Sequence, residues 1–462
     1  MGGSAFSSLP DPPYIPRMPP AVYRRALSVC HALLREIFVC VASPIEGPEK
    51  KDYGDLDMLV AFEKRTVFPK TRNDSIPNTP QVLMTIIQHQ LGAKHAIIHP
   101  AGTLAHLAIP WPSEVEPEDS VPGRVLCDRD VVESQGEAEA KYVQVDVHIC
   151  PTIDEFYWRL FKHAHGDLWN ILGSTIRPFG LTVDEEALWL RIPEIEKFDR
   201  KKARVCLSRD PVEIIHFLGM KVEGFWDEPF ESVDAMFDYA TTCRLFWVRD
   251  TPVGVDEEDG EAAGVIGGHE GRRKLKANDR RRMAGRPVYR RWINEFVPRL
   301  CAEGKFLSNR PGTSVEEVRA MVRDEAFERF FVETEYRERL REWRLKRDGE
   351  QMKVRVGESV PSTMDPQRRA CLVGALRKII LESDPSFGFD PSGLRLADGF
   401  YDTTAVRNFI HYNLEEVAKV AWARQQQRAR EAMLLKASRK SGPGHGTLVA
   451  TIERGGHQEA NP

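Results

Sequence analysis

The sequence predicts an α+β protein: a sheet-bearing N-terminal half followed by an extended, mainly helical C-terminal region. Three observations carry this. Short apolar or alternating runs (Ile37–Ala42, the run around Asp55–Val60, Ala96–His99, Ala105–Ile109 and Tyr142–Ile149) are interleaved with helical patterns in the first part of the chain. Beyond about residue 228 the apolar residues recur at helical spacing among many charges. With 462 residues, 42% hydrophobic and 29% charged, the chain has room for two or three domains with ample core.

The first stretch, MGGSAFSSLPDPPYIPRMPP, has no apolar signal-peptide core, and residues 1–20 are expected to be a disordered, proline-rich leader. A helix is predicted over Ala21–Arg35, with Val22, Ala26, Val29, Leu33 and Leu34 near one face. It runs into the strand Ile37–Ala42. A turn of Ser43, Pro44, Glu46, Gly47 and Pro48 follows. The next apolar run carries Asp55 and Asp57, two positions apart. Side chains at i and i+2 of a strand share a face, so both carboxylates project together while Leu56 and Met58 turn the other way. Neighbouring carboxylates repel unless a cation lies between them, which points to a hard divalent metal with oxygen ligands. The candidate third carboxylate is Asp146, in the alternating strand Tyr142–Ile149. Phe62–Pro80 reads as a loop, Gln81–Leu91 as a helix, and Glu114–Lys141 as a long hairpin connection.

Gly54-Asp55-Leu56-Asp57, followed much later by apolar-Asp146-apolar, resembles the nucleotidyltransferase superfamily, most closely the palm of its DNA polymerase beta-like branch (polymerase family X). Ser43, Gly47, Gly54, Asp55 and Asp57 stand at positions matching the family's first motif. Past Asp146, Pro151, an aromatic-rich stretch, the turn Gly166-Asp167, Asn170, Leu181–Leu190 and Asp210–Gly219 continue the likeness loosely. It covers roughly residues 21–231, and the family's N-terminal lyase and fingers regions have no counterpart.

The resemblance implies a nucleotidyltransferase palm and thumb-like region over 21–231. It implies a catalytic, metal-binding trio of Asp55, Asp57 and Asp146 and two Mg2+ ions, with Mn2+ as an alternative. A nucleoside triphosphate would be held by Ser43 and the backbone near Gly54, with Gly166 at the turn. The acceptor would be a hydroxyl, in the family a nucleic-acid 3′ end. The departures are specific. Ala42 replaces the family's first glycine, and Glu46 replaces the arginine that meets the triphosphate. The lengthened Gly47–Gly54 loop carries Lys50 and Lys51, which are expected to restore positive charge. His163 and Ala164 replace the paired aromatics beside the sugar, and Asp167 replaces a serine. A second reading, favoured by Ala42 and Glu46, is a non-catalytic nucleotidyltransferase-like module that binds nucleic acid or a protein.

Further along, a helix is expected over 232–248, a flexible acidic linker over 249–271, a charged helical domain over 272–437 and a disordered tail over 438–462. Arg272 to Arg299 holds eleven Lys/Arg against Asp279 and Glu295, interleaved with Tyr289, Trp292 and Phe296. Arg280, Arg281 and Arg282 are candidate phosphate contacts. The alternative is that Tyr289, Trp292, Ile293 and Phe296, at i, i+3, i+4 and i+7, form a buried helix face while the arginines are merely solvated. His148, His163 and His165 are candidates for the metal or nucleotide site, and equally for ordinary structural roles. The eight cysteines form no Cys-x-x-Cys pair, and no apolar run reaches the roughly 18 residues of a membrane span, so no disulfide framework, zinc site or membrane partner is expected. These features together fit an intracellular protein, nuclear or cytoplasmic. No P-loop, Gly-x-Ser-x-Gly or zinc-helix motif is present.

Overall fold

The structure is a computed structural model that describes residues 3–68, 79–112, 140–248, 283–306 and 314–440. The architecture is α+β with a mixed sheet and a helical C-terminal region, divided into two compact units, Met1–Tyr336 and Arg337–Pro462.

Helix α1 (Pro20–Ile37) opens with a proline, which fits the first turn because its missing N–H has no helical partner there. It buries Tyr23, Ala26, Cys30 and Leu34, so the stripe is rotated from the expected one and Val29 is exposed. Its end passes directly into β1 (Phe38–Ala42), which pairs antiparallel with β2 (Leu56–Glu63). A single helical turn, α2 (Lys64–Val67), is capped by Glu63 within the stretch expected to be loop. Thr79 caps α3 (Pro80–Gln90), and β3 (His95–Ile98) and β4 (Leu104–Pro110) form the hairpin around Gly102. Strand β5 (Tyr142–Ile149) completes a five-stranded sheet of order β1-β2-β5-β4-β3, in which only β2 and β5 are parallel.

The two faces of this sheet differ. Leu56, Met58, Val60, Val143, Val145 and Val147 join one core with Cys30, Leu34, Met84 and Ile87, contributed by α1 and α3. The opposite face carries Leu59 and Ala61, covered by Ile153, Phe156 and Leu160 of α4 (Ile153–His163). Asp57 lies two residues before Leu59 and therefore on this second face.

Helix α5 (Leu168–Ile176) leads to a separate antiparallel sheet of β6 (Leu181–Val183), β7 (Leu188–Arg191) and β8 (Arg204–Ser208), with the turn α6 (Pro193–Glu196) between the last two. Leu181–Leu190 is thus a β-hairpin. Asp184 makes the turn: its Oδ1 accepts from the Glu186 and Ala187 N–H groups and from Trp189 Nε1 at 2.9, 3.2 and 2.7 Å. Asp210 caps α7 (Pro211–Phe217), and Ser232 caps α8 (Val233–Thr241), which is shorter than its apolar pattern suggests.

The basic, aromatic segment forms α9 (Pro287–Arg291), a π turn (Trp292–Phe296) and α10 (Val297–Ala302). Tyr289, Trp292, Ile293 and Phe296 are all buried, and Trp292 packs against Phe237 and Phe246. Core burial, not base stacking, accounts for these aromatics. Helix α11 (Val315–Phe330) starts with a Ser314–Glu317 capping box and ends at exposed Phe331, whose φ of 56° breaks the chain before α12 (Glu333–Glu358). Residues 283–306 and 314–336 fall in the first unit.

The second unit comprises α12 from Arg337 onward, α13 (Pro366–Leu381) and α14 (Thr403–Lys440) around Val356, Leu376, Ile379, Ile380 and Val417. The acidic linker 249–271, Arg280–Arg282 and residues 441–462 lie outside the described residues. The leader, expected to be disordered, is placed from Gly3 onward: Phe6 and Met18 are buried, and Met18 and Tyr53 exchange backbone hydrogen bonds. Buried apolar anchors among the prolines hold it down.

Candidate functional site: a carboxylate face on the central sheet

The parallel pairing of β2 and β5 sets Asp57 directly beside Asp146, and the antiparallel pairing of β4 and β5 sets His106 on the other side of Asp146. Asp55 immediately precedes β2 and joins them from the same face. Sequence separation is 89 residues between Asp57 and Asp146, so only the sheet register brings them together.

The electrostatics are those of crowded carboxylates. Burial pushes the Asp57 carboxyl up to about 7, reinforced by Asp55 and Asp146, while His163 pulls weakly the other way. Asp55 is raised by burial and then by Asp146, and lowered by the Gly3 N–H and by Lys50. His106 is raised mainly by its hydrogen bond to Asp146. His148 is pushed down to about 4 by burial, with Arg159 and His163 adding to the effect.

Hydrogen bonds order this face. His106 Nδ1 lies 2.8 Å from Asp146 Oδ1, and Gln144 Nε2 donates to the same oxygen at 2.8 Å. His99 Nε2 and His106 Nε2 are 3.4 Å apart. The leader reaches in as well: the Gly3 N–H donates to Asp55 Oδ2 at 3.2 Å and the Ala5 N–H to Gln144 Oε1 at 3.1 Å. A Cβ on Gly3, whose φ is 84°, would lie 2.2 Å from the Gly54 carbonyl oxygen, so this approach requires glycine.

The turn after β1 contributes a fourth carboxylate. Glu46 Oε1 accepts from the Tyr23 hydroxyl at 2.6 Å, and Glu46 Oε2 is paired with Lys50. Tyr23 stacks on Tyr53 with ring centroids 3.8 Å apart, and the Lys50 ammonium lies over Tyr53. Burial and Glu46 hold the Tyr23 phenol far above its ordinary value, so it stays a donor. Lys50 thus meets both Glu46 and the field of Asp55. Lys51 is exposed.

Other candidates are placed elsewhere. Ala42 pairs with Leu59 on the carboxylate face, so Ser43 falls on the opposite one; its hydroxyl lies 3.2 Å from His31 Nε2 and donates to Met58 Sδ at 3.2 Å. Ser43 is therefore not turned toward the carboxylates. Gly54 is buried beneath Gly3. Gly166, with φ of 64°, packs against Gly47: a Cβ there would lie 3.2 Å from the Gly47 Cα. These two glycines let the turns touch, and the His165 N–H donates to the Ile45 carbonyl at 2.7 Å. His165 is buried, with Nε2 2.8 Å from the Phe225 carbonyl oxygen, which is a structural role. His163 stands near Asp57 electrostatically and lies 3.3 Å from Glu185.

Asp167 serves the fold. Its Oδ1 accepts from Arg286 at 2.6 Å and from Asn170 at 3.3 Å, and its Oδ2 accepts the Tyr289 N–H at 3.4 Å, capping α9 from a distance. Arg291 and Arg299 pair with Asp234. The arginines nearest the buried aromatics are thus occupied within the protein.

The donor chemistry of Asp55, Asp57 and Asp146 fits a hard divalent cation, since three clustered oxygen donors carry mutual repulsion that a cation would relieve. They do not form a closed cage: among the described residues no group of three His, Cys, Asp or Glu side chains stands ready to hold an ion. Sequence reasoning missed His106, His99, Gln144, Tyr23 and the leader. Alternation alone puts His106 on one face of β4, but only the register places that face beside Asp146. No helix among the described residues is long and apolar enough to cross a membrane. Cys30, Cys40, Cys150, Cys206, Cys243 and Cys371 are free thiols. The chain matches no protein-family model, and no curated protein gives a significant match to it.

Proposed function

We propose that this protein is a magnesium-dependent nucleotidyltransferase that moves a nucleoside monophosphate from a nucleoside triphosphate to an acceptor hydroxyl. The observation that carries this reading is the alignment of Asp57 beside Asp146 on parallel strands, with Asp55 on the same face and the Asp57 carboxyl raised by burial and then by Asp55 and Asp146. Asp55, Asp57 and Asp146 would hold the divalent cation, or two with Asp55 and Asp57 shared. A divalent cation bound there polarises phosphate oxygens and stabilises the charge that develops on them.

The chain's own residues do the rest. Lys50 pairs with Glu46 and lowers the Asp55 carboxyl, and it would meet the triphosphate from there. His163, near enough to lower the Asp57 carboxyl and 3.3 Å from Glu185, would donate to a phosphate or sugar oxygen. The reaction forms a bond between the acceptor oxygen and the α-phosphorus and breaks the bond to the leaving pyrophosphate; water takes up the hydroxyl proton. The acceptor class proposed is a nucleic-acid 3′ end, resting on the family resemblance and the arginine-rich segment of the sequence.

The test is binding of labelled ATP with and without Mg2+, followed by transfer assays on Asp55→Ala/Asp57→Ala and Asp146→Ala. Magnesium-dependent binding with loss of transfer in folded variants supports the reading. Full activity in either variant refutes it. The second reading, a non-catalytic binding module, is favoured by Ser43 facing away and by Gly3 on Asp55. It predicts no magnesium-dependent nucleotide binding.

A further inference from the structure

Two donors converge on one oxygen of Asp146. An ionised carboxylate only accepts hydrogen bonds, so the 2.8 Å contact requires a proton on His106 Nδ1. In the neutral ring Nε2 is then the acceptor, and His99 Nε2, 3.4 Å away, is the group placed to donate to it. On the other side, the Ala5 N–H on Gln144 Oε1 sets which way that amide points, so Nε2 faces Asp146. Asp146 Oδ1 has two in-plane lone pairs, and these two donors use both. Oδ2 remains as the oxygen for a ligand on this face.

We propose that His106 is a positioning residue that commits Asp146 Oδ1 to the protein and turns Oδ2 toward a divalent cation shared with Asp57. The inference rests on the carboxylate site proposed above and adds to it. His99 orients the His106 ring, and the leader, through Ala5 and Gln144, holds the second donor. The device works through geometry: two N–H groups on one oxygen fix the carboxylate plane, which β5 alone leaves free to rotate. An outer partner of this kind typically changes metal affinity 10- to 100-fold when removed, as an order of magnitude.

The test is a Mn2+ titration followed by the electron paramagnetic resonance of the free ion, on full-length protein without nucleotide. His106→Phe keeps a ring but has no donor, and should weaken Mn2+ binding roughly 10-fold or more. His106→Asn puts an amide nitrogen close to where Nδ1 stands and should restore affinity to within about threefold of wild type. If His106→Phe does not fold, His106→Ala at this half-buried strand position replaces it. Wild-type affinity in the Phe or Ala variant overturns the inference and leaves the carboxylate site standing. Equal losses in the Phe and Asn variants overturn the donor role. Mn2+ binding in wild type that is absent, or indifferent to Asp146→Asn, overturns both the inference and the reading beneath it.

Discussion

Replacing Asp57 with Asn should make the cation-free protein more stable at pH 8 while removing the transfer activity proposed above. The Asp57 carboxyl is pushed from its ordinary 3.8 up to about 7, by burial first and then by Asp55 and Asp146. A unit of such displacement corresponds to about 1.4 kcal/mol, so ionising Asp57 in the folded, metal-free state costs up to about 4 kcal/mol. Because the trio shares the strain, removing one charge should recover roughly 1–3 kcal/mol. The sign follows from proton counting. Between about pH 4 and 7 the folded state holds more protons at this site than the unfolded state does, so this contribution is complete below pH 4 and is lost as pH rises through 7. Urea unfolding in EDTA should therefore show wild type losing stability relative to Asp57→Asn between about pH 4 and 7, with no further loss above that and the two converging at pH 4. Saturating Mg2+ should reverse the order at pH 8, since mass action adds about 2.7 kcal/mol at a hundredfold excess over Kd only to the protein that binds it. An Asn variant less stable than wild type at pH 8 in EDTA would refute the reasoning, because the carboxylate would then be satisfied by the fold itself.

Three further outcomes are expected. Asp167→Ala should destabilise the protein by about 0.5–2 kcal/mol in urea, because it removes the cap of α9 together with the Arg286 pair, and it should leave Mn2+ affinity unchanged. Glu46→Gln should tighten ATP–Mg2+ binding about fivefold by calorimetry, since a charge at 4 Å contributes about 1 kcal/mol in a water-like medium, and Lys50→Ala should weaken it by a similar factor. Tight wild-type binding indifferent to both changes would place the triphosphate elsewhere. Neutralising Arg280, Arg281 and Arg282 together should flatten the salt dependence of nucleic-acid binding by about one unit of slope per lost phosphate contact, with stability unaltered; an unchanged slope would exclude them from the interface.

What the sequence determined by itself is local. The period-2 run around Asp55 and Asp57 requires both carboxylates on one face, whatever packs around it, because alternation is a property of the extended backbone. The i, i+3, i+4, i+7 spacing of Tyr289, Trp292, Ile293 and Phe296 likewise marks one helix face, and burial of all four agrees. What only the tertiary structure decided is non-local. Nothing in the residues around His106 says that β4 and β5 pair with that side chain beside Asp146; a shift of one residue would send it to the other face. Ser43 matches a motif in one dimension, yet the β1–β2 register turns its hydroxyl to Met58, on the face opposite Asp57. The rotated stripe of α1 has the same origin: Cys30 and Tyr23 are buried in place of Val29 because the sheet beneath, not the helix, selects the face. The leader is the extreme case. Its composition reads as disordered, but Phe6 and Met18 are buried, Met18 in the core that β2 and β5 build together, and the Gly3 N–H reaches Asp55.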